Sequence, residues 1–144
     1  MSDRLMGLDF GAFTVGVAIS DELNILAHEH STIKRPHEKK LRRTFAEIER
    51  LVALYDIGRI IVGLPVYEDG TESGRSLKAR DFAEQVGRRT AIPVTLYDER
   101  FTTASAREIL DISGIPRDMQ KEHIDKIAAA IILQDYMDNV LSRE

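Results

Sequence analysis

Carboxylates are the residues of this sequence best placed to do chemistry. Asp9 lies next to last in the run RLMGLDF (residues 4–10), two residues before Gly11, Asp98 and Glu99 follow the run VTLY, and Asp125 stands in HIDKIAAAIIL. If the two runs are strands of one sheet and the last segment is a helix laid across it, these acids converge. Clustered carboxylates repel and are costly to desolvate, and hard divalent cations resolve that conflict. Mg2+ or Mn2+ suits the set, because the chain has no cysteine and its four histidines lack the spacing of a zinc site. Singly, each acid has a plainer role. Asp125 can complement the dipole of a helix it opens, Asp9 can close an Asx-type turn, and Asp98 and Glu99 can solvate a strand end. Their coincidence at the ends of sheet elements is what favours a site.

Other chemistry is weaker. His28 and His30 share one face of a strand with no third ligand, and His123, two residues before Asp125, can line the site. No G-x-S-x-G elbow presents a serine nucleophile, and Ser73, between Glu72 and Gly74, reads as turn chemistry. No G-x-x-x-x-G-K-[ST] phosphate loop occurs.

The elements that must position the acids follow from periodicity. Residues 4–10 and 14–20 are strand-like runs joined tightly at Gly11 and Ala12, and 25–33 supplies a third strand of an antiparallel meander. Leu41, Phe45, Ile48, Leu51, Val52 and Tyr55 recur at helical spacing and predict a helix over 38–55. The apolar RIIVG (59–63) predicts a buried parallel strand. A turn, EDGTESG, leads to a helix over about 76–89, and Pro93 precedes a strand at 94–98. Thr102 or Thr103 caps a helix ended by Gly114 and Pro116. Residues 115–122 read as a mobile polar loop before a last helix over about 124–141. The pattern is an α/β chain with a mixed sheet, and its strand ends are the natural place for chemistry.

At 144 residues, 43% hydrophobic and 31% charged, the chain reads as one globular domain over 1–144 with neither repeats nor linkers. The lack of cysteine excludes a disulfide framework and suits a reducing compartment. No run reaches the ~18 apolar residues of a membrane span, and the start MSDRLMGLDF lacks the apolar core of a signal peptide, so the expectation is a cytoplasmic protein with no membrane partner. A net charge of −4 is unlike an overt nucleic-acid binder, but KRPHEKKLRR (34–43) is a local basic patch.

Four blocks taken in order and at their spacing, GLDFGAFTVGVAISD (7–21), IIVGLPVYEDGTESG (60–74), YDERFTT (97–103) and HIDKIAAAIILQDYM (123–137), resemble the bacterial YqgF family. This family is also called RuvX and is described as pre-16S rRNA nucleases or Holliday junction resolvase-like proteins. The resemblance covers essentially the whole chain. It implies the ribonuclease H-like fold, with a five-stranded mixed sheet whose first three strands are antiparallel and whose later strands are parallel. It also implies phosphodiester hydrolysis by carboxylates that hold Mg2+ or Mn2+. Carried onto this sequence, the catalytic and metal-holding acids are Asp9, Glu99 and Asp125, with Asp98 ranked below Glu99. In two-metal hydrolysis one ion acidifies a water and the other stabilises the leaving oxygen, with a carboxylate bridging ions about 3.5–4 Å apart, a role suited to Asp9. Arg100 and Lys126, beside two of the acids, are placed to contact nucleic-acid phosphate or to pair with the acids themselves. One departure is plain. Where the family commonly carries D-Y-G-x-K-R-x-G, this chain has DFGAFTVG, so Ala12, Phe13 and Thr14 stand where basic residues are expected.

The resemblance implies a metal-dependent nuclease for structured nucleic acid, with 5′-end processing of precursor 16S rRNA in ribosome biogenesis favoured. Resolution of branched DNA is the alternative within that class, and it would call for a homodimer to make paired cuts. From other classes come a nucleic-acid-binding ribosome assembly factor without catalysis and an ATP-binding protein related through D-x-G. The last is disfavoured because such proteins close two lobes on the nucleotide.

Overall fold

Alternation builds the first two strands: Met6 and Leu8 bury on one face of the run RLMGLDF and Leu5 on the other, and TVGVAIS pairs back along it. The computed structural model describes residues 4–67, 69–99 and 102–141. Along the chain lie β1 (Arg4–Phe10), β2 (Thr14–Ser20), β3 (Ala27–Lys34), α1 (Arg42–Tyr55), β4 (Ile57–Leu64), α2 (Gly74–Thr90), β5 (Val94–Asp98), α3 (Thr102–Ile112) and α4 (Arg117–Asn139). One sheet of order β3-β2-β1-β4-β5 results. Strands β1, β2 and β3 pair antiparallel, and β4 and β5 run parallel to β1. This is the mixed α/β architecture that the sequence predicts.

The two faces of the sheet are covered differently. Phe45, Ile48 and Leu51 of α1 and Phe82, Ala83 and Val86 of α2 pack on Met6, Leu8, Val17 and Val62. On the other face α4 lies across Leu5, Ala18 and Ile61 through Ala129, Ile132 and Leu133. Glycines permit that close approach. A Cβ at Gly7 would meet the Ala129 carbonyl and the Leu133 side chain, and one at Gly16 would run into the carbonyl of Asp125. Hydrogen bonds then fix the register of α4: Gln134 accepts from the Ala27 amide (2.8 Å) and donates to the Ile25 carbonyl (2.9 Å), and Tyr97 donates to Asp135 (2.6 Å).

The stretch 115–122 departs from its expectation as a mobile loop. Pro116 sits at the N-cap and α4 begins at Arg117. Gln120 is fully buried, donating to Asp111 (2.7 Å) and to the Ile115 carbonyl (2.9 Å), while Arg117 grips Asp111 with two bonds (3.0 and 2.9 Å). Polar composition here reflects an exposed helix face tied at its corner. Similarly, α1 starts at Arg42, and residues 38–41 are turn and irregular backbone. Among the described residues no helix is long and apolar enough to cross a membrane.

Candidate active site

Strand alternation decides which acids can meet. On β1, Leu5, Gly7 and Asp9 share the face toward α4, because Leu5 packs there and Gly7 abuts Ala129. On β5, Leu96 packs on the α1/α2 side and Tyr97 on the α4 side. Asp98 is therefore turned away and exposed, while Glu99 returns to the face of Asp9. The Glu99 amide donates to the Leu64 carbonyl (3.1 Å), which carries the ladder one residue beyond β5. Gly63 leaves room for its side chain, since a Cβ there would lie 2.9 Å from the Glu99 carboxyl carbon.

The carboxyls of Asp9 and Glu99 lie within hydrogen-bonding reach of each other, so one proton between them would relieve their repulsion. Burial is the main cause that pushes Asp9 up, to about 6, with the Glu99 bond opposing and the charge of Asp125 adding. Burial also pushes Glu99 up, to about 9, followed by the charge of Asp9. The two titrate as one pair. Asp125 reaches the same region from α4. Its main chain lies on Gly16, the cross-strand partner of Asp9, and its carboxylate accepts from the Thr14 hydroxyl at 2.7 Å. Asp125 stands inside α4, two turns beyond Arg117, and so does not open the helix as the sequence suggests.

The donor set of Asp9, Glu99 and Asp125 suits a hard divalent cation: oxygen ligands only, with two of the acids held together at an electrostatic cost that a cation relieves. Among the described residues no three acidic or histidine side chains already form a closed cation cage. Asp9 and Glu99 touch, and Asp125 stands off on its threonine.

Other sequence candidates fall differently. Lys126 follows Asp125 on α4 and is half-buried, with its amide beside Gly16. Arg100 lies outside the described residues. His123, about 200° around the helix from Asp125, lines a separate cavity with Ile109 and Ile131, away from the acids. Within the basic patch, Arg35 is buried and structural. It donates to the Gly11 carbonyl (2.6 Å), and its guanidinium lies 4.9 Å from the Phe10 ring centre.

Two contributors escape a reading of the sequence. Arg75, second residue of α2, is the cation whose charge opposes the upward shifts of both Asp9 and Glu99. Thr14, counted in the sequence only as a missing basic residue, positions Asp125. Neither role shows until the β1–β2 turn and the start of α2 are placed at the same end of the sheet.

The profile of the RuvX family, described as "Holliday junction resolvase", matches residues 3–139. A protein of Lachnospira eligens named "Putative pre-16S rRNA nuclease" is 46% identical over 136 residues, covering 94% of this chain and 97% of its own length. One of the same name from Thermoanaerobacter pseudethanolicus is 43% identical, covering 94% of this chain and 96% of its own. Among solved structures, Thermus thermophilus RuvC in complex with a Holliday junction superposes with TM-score 0.58 at 16% identity, covering 96% of both chains. The Fowlpox virus resolvase bound to junction DNA gives TM-score 0.58 at 13% identity, covering 96% of this chain and 99% of its own. These two likenesses bear on the fold.

Proposed function

From the premise that the chain belongs to the RuvX family, whose profile spans residues 3–139, we propose that it is a divalent-cation-dependent nuclease, with precursor 16S rRNA as its substrate and the cytoplasm as its place of action. The observation that carries this reading is the convergence of three carboxyls on one sheet face, with Asp9 and Glu99 buried beside each other and Asp125 on Gly16, the cross-strand partner of Asp9. A chain with no use for a cation there gains nothing from holding two acids together at that cost.

Asp9, Glu99 and Asp125 would hold Mg2+ or Mn2+, as one ion or as a pair. When bound, the metal supplies a water acidified toward neutral pH and neutralises charge on the phosphate under attack. Thr14 orients Asp125, and its hydroxyl leaves the second carboxylate oxygen available. Arg75, Lys126 and Arg100 contribute positive charge for the scissile and neighbouring phosphates. Phe13, 55% exposed in the turn after Gly11, offers a stacking face where a cation is expected, so this edge of the site favours unpaired bases over backbone charge.

The names of the relatives support the RNA substrate, and the description of the family profile supports branched DNA. Incubation with labelled precursor rRNA, plain single-stranded RNA and a four-way DNA junction, each in Mg2+, Mn2+ or EDTA, decides between them. Fastest cleavage of precursor rRNA, lost in EDTA and in Asp9→Asn, is expected. Fastest cleavage of the junction by a two-fold dimer would move the substrate to DNA. Binding without cation-dependent cleavage of any substrate would leave an assembly factor.

A further inference from the structure

A cavity of about 710 Å³ opens between the first turn of α1 and the length of α2 from Leu77 to Arg89, reaching Phe10 on the face of the sheet opposite the acids. Its apolar lining includes the Phe10 ring, one residue from Asp9, together with Leu41 and Leu77. Leu77 is 67% exposed and has little reason to be apolar on a solvated helix face. Cations outnumber acids around the cavity: Lys39, Arg42, Lys78 and Arg89 face Glu38 and Asp81. That excess runs against a chain whose net charge is −4. Two of the six are already matched, since Lys78 pairs with Glu38 at 2.7 Å. Arg89 lies with its guanidinium 4.6 Å from the Phe45 ring centre, so its edge remains a donor. Behind the wall, buried Arg35 keeps one nitrogen, Nη1, without a hydrogen-bond partner and adds to the positive field.

The cavity borders a smaller one toward the catalytic end of the sheet. The smaller one, of about 140 Å³, is lined by Phe10, Glu38 and Lys78, which it shares with the large cavity, and by Gly11, Ala12 and Arg75. Arg75 is the cation that acts on Asp9 and Glu99. Arg75 and the Gly11 turn thus stand between the acids and the large cavity. What suits the large cavity is a ligand that is anionic on one side and flat and apolar on the other. The volume falls within the range of small-ligand sites, about 300–1,000 Å³.

We propose that this cavity holds one unpaired nucleotide of the substrate strand, flanking the scissile phosphate. Its base lies against Leu41, Leu77 and the edge of the Phe10 ring, whose faces are covered by Phe82 and Arg35, and its phosphate lies toward Lys39 and Arg42. The inference rests on the nuclease reading above and extends it. The enzyme selects strands that are single-stranded beside the cut, because a paired base cannot enter.

Two arms test it. In the first, 15N-labelled wild-type protein in EDTA, where no hydrolysis occurs, is titrated with AMP, UMP, inorganic phosphate and an oligoglutamate peptide. Saturable shifts of the Lys39, Arg42, Leu77 and Lys78 amides with AMP or UMP, and weaker ones with phosphate, are expected. Tighter response of those amides to the peptide, or none to either nucleotide, overturns the proposal. In the second, cleavage kinetics are compared for wild type, Arg42→Glu, Leu77→Asp and Glu38→Gln on RNA with an unpaired flank. KM should rise about tenfold for the first two variants, the scale of one lost base contact, and fall for Glu38→Gln, with kcat unchanged in all three. Opposite signs from exposed positions cannot come from misfolding. An active wild type with all four KM values equal overturns the cavity and leaves the nuclease standing. A wild type that cleaves nothing overturns the nuclease reading, and the titration then decides the cavity alone.

Discussion

Replacing Gly16 by alanine perturbs the site without touching an acid. Gly16 is the cross-strand partner of Asp9, and α4 rests on it. An added Cβ would run into the Asp125 carbonyl and come within 3.0 Å of the Lys126 amide. Both obstacles are main chain, so no flexible side chain can give way. Either α4 lifts by about 1 Å or β2 bends, in an interior packed too densely to absorb the change. Overpacking of this kind costs about 1–3 kcal/mol, or about 2–4 °C in Tm per kcal/mol for a chain of this length. The same lift carries Asp125 away from Asp9 and Glu99, and a misplacement of about 1 Å in a catalytic group costs about 100-fold in rate. Thermal melting and cleavage of RNA in Mg2+ are the assays. Gly74→Ala is the control: nothing lies within 4 Å of a Cβ added there, and its effect should stay within about 1 kcal/mol and favour stability. Gly16→Ala that melts and cleaves like wild type would refute the claim that glycine contact places Asp125.

Further outcomes follow from the same geometry. Thr14→Val, which removes the bond to Asp125, should lower cleavage or cation affinity about 10–100-fold, while Thr14→Ser retains most of both. Burial and mutual repulsion raise Asp9 and Glu99, so their contribution to stability is present below the ordinary carboxylate range and fades as pH rises through about 6 and about 9. Cation-free Glu99→Gln should therefore melt above wild type at pH 8, by about 1–3 kcal/mol, with the gap closing near pH 4 and the variant inactive; a constant gap across pH contradicts this. Gln120→Ala strips the buried carboxamide from the α3–α4 corner and should cost about 1–3 kcal/mol in denaturant titration.

Much of the fold was legible because the sheet strands announce themselves locally. VTLYD, set off by Pro93, matches β5 residue for residue, and RIIVG forms the buried middle of β4. The start of α4 was not legible, because IPRDMQKE has almost no apolar stripe. Its first turns are held by Gln120 and Arg117, polar contacts that periodicity does not register. Asp9 and Glu99 could be singled out by their places at strand ends, and Asp125 by the helix expected to cross them. What separates Glu99 from its neighbour Asp98 is the pleat of β5, and what separates Asp125 from a dipole-complementing cap is the eight residues of helix, 117–124, that precede it. Arg75 was invisible for a topological reason. Its element leaves the sheet after β4 and returns its first turn to the end of β1, a proximity of residues far apart in sequence.

The most direct measurement sets two adjacent acids against each other. Asp98 and Glu99 are neighbours in the chain on opposite faces of β5, so Asp98→Asn and Glu99→Gln are near-identical chemical changes in different places. Single-turnover cleavage of precursor rRNA in Mg2+ should be abolished in Glu99→Gln and stay within a few-fold of wild type in Asp98→Asn. Equal loss in both, or loss in Asp98→Asn alone, would contradict the account that the face of the sheet, and not acidity near its end, makes the site.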